Sequence, residues 1–143
     1  MELTFSRELL LFAVINDFMK YKNPIPVVDA IIEKDGKIVL IKRKIKPFKG
    51  KLAIPGGHVE YGEIVEDAAK REAKEETALN IRLIDILGVY SDPKRDPRGH
   101  YITTVFVAKS ISGKLKAASD AKEVSFYYPM NLKKKDLAFD HLK

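Results

Sequence analysis

The stretch Gly57–Leu79, G-H-V-E-Y-G-E-I-V-E-D-A-A-K-R-E-A-K-E-E-T-A-L, constrains this chain more than any other. From Ala68 to Glu76 it contains only strong helix formers and no breaker, which predicts a helix. Unrolled at about 100° per residue, the helix brings Val65, Ala68, Ala69, Glu72 and Glu76 into one arc of about 100°. Glu66, Asp67, Lys70 and Lys74 fall on the opposite side. The inward stripe therefore ends in carboxylates, with Glu75 at its edge, where an ordinary amphipathic helix would carry leucines. Carboxylates turned toward a core are costly unless a charge compensates them. Glu72, Glu75 and Glu76 stand at i, i+3 and i+4, so their side chains converge. Arg71 is the nearest cation, but it points to one flank and cannot balance three acids. A divalent cation can, and all-oxygen ligands select Mg²⁺ or Mn²⁺. The plainer alternative is a solvated acidic cluster with Lys70 and Lys74 as partners.

The spacing upstream decides between them. Five residues separate Gly57 from Glu63, and seven separate Glu63 from Arg71-Glu72. Ala73, Lys74, Glu75-Glu76, Thr77, Ala78 and Leu79 follow. This pattern closely resembles the Nudix box: Gly, five residues, Glu, seven residues, Arg-Glu, apolar, any, Glu-Glu, any, Gly, apolar. Every charged position matches. The family's last glycine is Ala78 here, at a position after the helix that often needs a left-handed backbone, which alanine tolerates at a cost of about 1 kcal/mol.

At 143 residues, 45% apolar and 32% charged, the chain is most simply one folded domain with one core. It has no cysteine, which excludes a disulfide framework and a thiolate nucleophile and fits a reducing, cytoplasmic setting. The net charge of +6 suits an anionic partner such as a phosphorylated metabolite, or serves solubility. The start has no basic signal region, and the apolar run Leu9–Ile15 is too short to span a bilayer, so neither a signal peptide nor a membrane segment is expected.

Residues 1–23 read as an N-terminal helical extension and 24–143 as the main domain. The extension's helix should start near Ser6, stop before Pro24, and pack either on the domain or on a second subunit of a homodimer. Strands are expected over Val27–Glu33, Lys37–Arg43 after an Asp35-Gly36 turn, Ile81–Tyr90, Tyr101–Ala108 and Glu123–Tyr128. Val39-Leu40-Ile41 suggests a sheet covered on both faces. Ser110–Asp120 reads as a loop and Asn131 onward as a C-terminal helix marked by Leu137, Phe139 and Leu142. Lys42, Arg43, Lys44, Lys46, Lys49 and Lys51 form a basic cluster that is either a solvated face or a phosphate-lining loop. It lacks the interleaved aromatics of a single-strand platform, which argues against nucleic acid. Pro55-Gly56-Gly57 lets the main chain approach a ligand, and a carbonyl there can complete a metal shell.

The resemblance to the Nudix family implies an α/β (α+β) fold, a mixed sheet sandwiched between helices. It implies Mg²⁺-dependent hydrolysis of a nucleoside diphosphate derivative, with Mn²⁺ as a substitute. Glu72, Glu75 and Glu76, joined by Gly57, are implied as metal ligands, and Glu63 with Arg71 as a brace for the helix. Many members take a further acid from beyond the box, for which Asp120 and Glu123 are the candidates. The segment Gly88–His100 resembles that of the small ADP-ribose pyrophosphatases, with Arg95 and Arg98 placed to grip phosphate or ribose and His100 either near the base or structural. Tyr90 and Phe48 could stack on adenine or pack in the core. Dinucleoside polyphosphates or oxidised nucleoside triphosphates are alternative substrates, and a non-catalytic nucleotide- or RNA-binding module is the alternative class.

Overall fold

Alternating apolar residues in Val28, Ala30 and Ile32, all at most 1% exposed, give the central strand β1 (Ile25–Lys34) its buried face. The computed structural model describes residues 2–18, 22–117 and 121–140. A tight turn with Asp35 at φ 53° and Gly36 at φ 75° leads into β2 (Lys37–Arg43), and the Glu33 carboxylate accepts the Gly36 N–H at 2.9 Å. Two positive φ values are what a two-residue hairpin of right-twisted strands demands. Next come the short strands β3 (Leu52–Ala53) and β4 (Gly56–His58), and the helix α2 (Val65–Thr77). Strands β5 (Asn80–Tyr90), β6 (Tyr101–Ser112) and β7 (Ala121–Tyr127) complete a seven-stranded sheet. Its order is β3-β2-β1-β6-β5, with β4 also on β1 and β7 also on β2. Among the described strands only β1 and β6 pair in parallel; the other strand pairs are antiparallel. The fold is thus the expected mixed α+β sheet.

Helix α2 lies on this sheet through alanines. Ala68 and Ala69 meet Val28 and Phe106, and Ala73 joins Ala30, Ile32, Val39, Leu79, Ile81 and Ala108. Side chains this small bring the helix axis close to the strands, so the carboxylates that continue the same stripe are held against β4. The helix ends at Ala78, whose φ of 63° is the left-handed conformation the motif called for, and its N–H reaches Lys74 O at 3.0 Å.

Several elements differ from the sequence reading. The strands β1, β5, β6 and β7 each begin or end a few residues away from the expected limits, and β6 runs on to Ser112. The first helix, α1, spans Glu2–Phe18 rather than starting at Ser6. Its Leu9, Leu10, Leu11, Phe12, Val14 and Ile15 are 48–68% exposed, so this chain's own domain does not cover them. The expected C-terminal helix is replaced by two 3-10 turns, Pro129–Asn131 and Lys134–Asp136. After them the backbone turns extended at Leu137, which bridges to Leu52, and Ala138 N–H donates to Leu52 O at 2.7 Å. That pairing satisfies backbone groups a helix would have used internally and buries Leu137 and Ala138. Leu142 and Asp120 lie outside the described residues.

Candidate active site

Arg71 organises the acids of α2. Its Nε and Nη2 donate to the two Glu63 carboxylate oxygens at 2.7 and 3.0 Å. Nη2 also reaches His58 O at 2.9 Å, while Nη1 donates to Glu72 at 2.9 Å and Glu75 at 3.2 Å. All five guanidinium hydrogens are therefore committed. Arg71 does not point to one flank, as the sequence suggested: its planar fork spans Glu63, Glu72 and Glu75. The hydrogen bond from Arg71, helped by the Glu60 N–H at 3.0 Å, holds the Glu63 carboxyl down at about 2. The same pairing raises Arg71. Burial pushes Glu72 up, against the pull of Arg71.

The two glycines of β4 fit around these acids. A β-carbon at Gly57 would run into the Glu72 carboxylate, and one at Gly56 would strike the Val28 carbonyl and the Asp29 side chain. Gly56 N–H donates to Glu76 at 3.1 Å. The donor set is all oxygen and partly sheltered, with the Glu72 side chain 14% exposed, which suits a hard divalent cation. As arranged, no three His, Cys, Asp or Glu side chains among the described residues stand at metal-ligand spacing, and Glu72 and Glu75 are both paired with Arg71.

Beside them lies a cavity of about 130 Å³ whose lining brings together Gly57, Glu76, Arg43, Arg95 and Arg98. Arg43 donates from Nε to Pro47 O at 2.7 Å. Burial, and then repulsion from Arg98, lowers its pKa. Arg98 pairs with Asp96 at 2.6 Å and lies over the rings of Tyr101 and Phe139, 5.0 and 5.2 Å from their centroids. Arg95 is held differently: it forks onto Asp140 at 2.7 and 2.8 Å and donates to Tyr90 O and Thr103 Oγ1. It is therefore a strut in the cavity wall.

Two candidates sit elsewhere. His100 Nε2 lies 2.9 Å from Ser91 O, closing the stem of its loop, and is not in the lining. Glu123 faces Lys42 across the β2–β7 ladder, with an ion pair of 2.7 Å, also outside the lining. Tyr90 lies under Arg95, 5.3 Å from centroid to Cζ, and Phe48 contacts Phe139. The sequence reading missed Asp29, Asp96 and Tyr101 in the cavity, Phe139 as its C-terminal wall, and Asp140 as the partner that holds Arg95. The 45-residue separation of Arg95 and Asp140 leaves no local pattern to find.

A model of the NUDIX domain matches residues 23–143 of the chain. An ADP-ribose pyrophosphatase of Methanocaldococcus jannaschii is 52% identical over 139 residues, which cover 97% of this chain and 81% of that protein. Among solved structures, a NUDIX hydrolase from Nitrosomonas europaea aligns with a TM-score of 0.76 at 29% identity, over 85% of this chain and 66% of that one. The NUDIX domain of Shewanella oneidensis NrtR, complexed with ADP ribose, aligns with a TM-score of 0.76 at 26% identity, over 85% and 84%.

Proposed function

This chain belongs to the Nudix hydrolase family, and we propose that within it the reaction is hydrolysis of ADP-ribose to AMP and ribose 5-phosphate with Mg²⁺ or Mn²⁺. The observation that carries this reading is one site holding two kinds of charge. Acids of α2 gather at β4, and Glu76 shares a cavity with the cations Arg43 and Arg98. The 52% identity to an ADP-ribose pyrophosphatase supports the substrate. The family match from residue 23 supports a catalytic domain over 24–143 preceded by a helical extension.

Glu72, Glu75 and Glu76, with the Gly57 backbone, would hold the cation. When bound, it neutralises charge on the diphosphate and makes water more acidic. Arg71, fixed by Glu63, sets the direction of Glu72 and Glu75. Arg43 and Arg98 face the cavity and offset the negative charge of the two phosphoryl groups. A water oxygen bonds to one phosphorus as the bond from that phosphorus to the bridging oxygen breaks. A carboxylate of this cluster such as Glu72 accepts the water proton. One product leaves with the bridging oxygen and the other with the new hydroxyl. Of the acids beyond the box, Glu123 is engaged by Lys42, which favours Glu72 for the proton.

The ADP-ribose complex of the NrtR neighbour favours a second reading, a module that binds the nucleotide without turning it over. A single assay separates the two. Purified protein is incubated with ADP-ribose and Mg²⁺ in ¹⁸O-labelled water, and products are resolved by chromatography and mass spectrometry. AMP and ribose 5-phosphate in equal amounts, with one label per turnover, support the enzyme; tight binding without products supports the module. No described helix is long and apolar enough to cross a membrane.

A further inference from the structure

The cation-lined cavity, at about 130 Å³, is too small for a whole nucleoside diphosphate sugar, since sites for such ligands run to roughly 300–1,000 Å³. A larger one adjoins it. About 430 Å³ in volume, it shares Arg95 and Phe139 with the first cavity and adds Phe48 and Leu137. A substrate whose diphosphate lies at Arg43 and Arg98 can extend past Phe139 into this second space.

Its aromatic wall is built from two unusual residues. Phe48 has φ 60° and Phe139 φ 54°, a left-handed conformation that bulky side chains rarely adopt. The two rings meet edge to face with centroids 4.8 Å apart. Core packing does not account for Phe48, which is 37% exposed. Phe139 is nevertheless held in place: it rests on Ile41, Ala53 and Ala138, and the segment is stitched down by the Ala138–Leu52 hydrogen bond and the Asp140–Arg95 pair. Strained backbone maintained by surrounding contacts at the mouth of a cavity points to a ligand-facing role.

Both carboxylates of the second cavity have partners already, and the lysines Lys94 and Lys134 line its edge. Asp140 accepts from Arg95, and Asp92 accepts the Lys94 N–H at 2.8 Å. Beside those lysines the cavity offers the apolar surface of Phe48, Leu137 and Phe139, whose aromatic rings suit stacking against a flat ring. We propose that Phe48 and Phe139 form the nucleobase subsite of this chain, stacking the purine while the terminal ribose lies away from them. The assignment rests on the proposed pyrophosphatase reading, with the diphosphate in the first cavity.

AMP and ribose 5-phosphate, the two halves of the substrate, separate the possibilities. Phe139→Ala and Phe48→Ala should each raise the inhibition constant of AMP and the KM for ADP-ribose about 10-fold, with kcat within about twofold and ribose 5-phosphate inhibition unchanged. Phe139→Tyr should restore both. The chain contains no tryptophan, so Phe139→Trp supplies a single reporter whose emission AMP should quench and ribose 5-phosphate should not. That titration needs no turnover, so a protein that binds AMP this way but fails to cleave ADP-ribose overturns the pyrophosphatase reading and leaves the subsite standing. Loss of ribose 5-phosphate inhibition, equal losses for both ligands, or no change with either overturns the subsite. Should Phe139→Ala fail to fold, Phe48→Ala, on its part-exposed loop, gives the same discrimination.

Discussion

Replacing Arg71 by lysine keeps the charge and removes the fork. The guanidinium makes five hydrogen bonds, two to Glu63 and one each to Glu72, Glu75 and His58 O. An ammonium offers three hydrogens from a single nitrogen and cannot span these groups, so at least two bonds are lost. The Arg71 side chain is 23% exposed, so water partly replaces what is lost. At about 0.5–1 kcal/mol for each such bond, the stability cost is about 1–2 kcal/mol. For a domain of this size that lowers Tm by roughly 2–8 °C. Activity should fall further than stability, because Glu72 and Glu75 lose the group that aims them. Groups that orient metal ligands are typically worth about 10–100-fold in activity or metal affinity. The assay pairs thermal unfolding with kcat measured across a Mg²⁺ titration. A Tm within 1 °C of the parent, roughly the scatter of such melts, together with kcat within about twofold would refute the account of Arg71 as the organiser of the acids.

Three further outcomes are expected. Glu63 is held at about 2 in the folded protein against 4.5 ordinarily, so its contribution to stability is full above pH 4.5 and fades as pH falls toward 2. Thermal melts between those values should show a downward slope that Glu63→Gln flattens. Ala78→Gly should raise stability by about 0.5–1 kcal/mol, since the left-handed φ of 63° costs alanine more than glycine, and an unchanged or lower melting point would count against it. The chain should run as a dimer, at twice 16.2 kDa, in light scattering coupled to size exclusion. The apolar side chains Leu9, Leu10, Leu11, Phe12, Val14 and Ile15 of α1, with Ile84, Ile86, Leu87 and Val89 of β5, are 48–68% exposed, and association of two copies would bury them. A monomer at micromolar concentration would contradict that.

What the sequence revealed is mostly what short-range spacing encodes. The alanine stripe of α2, the Asp35-Gly36 turn and the left-handed Ala78 each follow from residues a few positions apart, and all are present. The resemblance grouped Gly57 with Glu72, and the structure adds the steric reason, since a β-carbon at Gly57 would run into the Glu72 carboxylate. The reach of Arg71 was not, because helical geometry gives the direction of Cβ and says little about where a long, flexible side chain ends. The C-terminal wall was hidden for a different reason. Residues from Asn131 carry a helical pattern of leucine and phenylalanine, but pairing with Leu52 and the Asp140–Arg95 bridge decide the local structure. Those partners lie 45 residues or more away along the chain. His100 and Arg98 are two residues apart in one charged loop, yet Arg98 enters the cavity and His100 ties the loop stem.

The most direct measurement sets the parent protein beside Glu76→Gln in ADP-ribose hydrolysis with saturating Mg²⁺. Glu76 is the one α2 acid in the lining of the cavity that holds Arg43 and Arg98, and its amide replacement keeps the shape while removing the charge. The account predicts a loss of at least about 100-fold in kcat with the fold retained, and no parent activity once the metal is chelated. Turnover by Glu76→Gln at the parent rate, or parent activity that survives chelation, would contradict it.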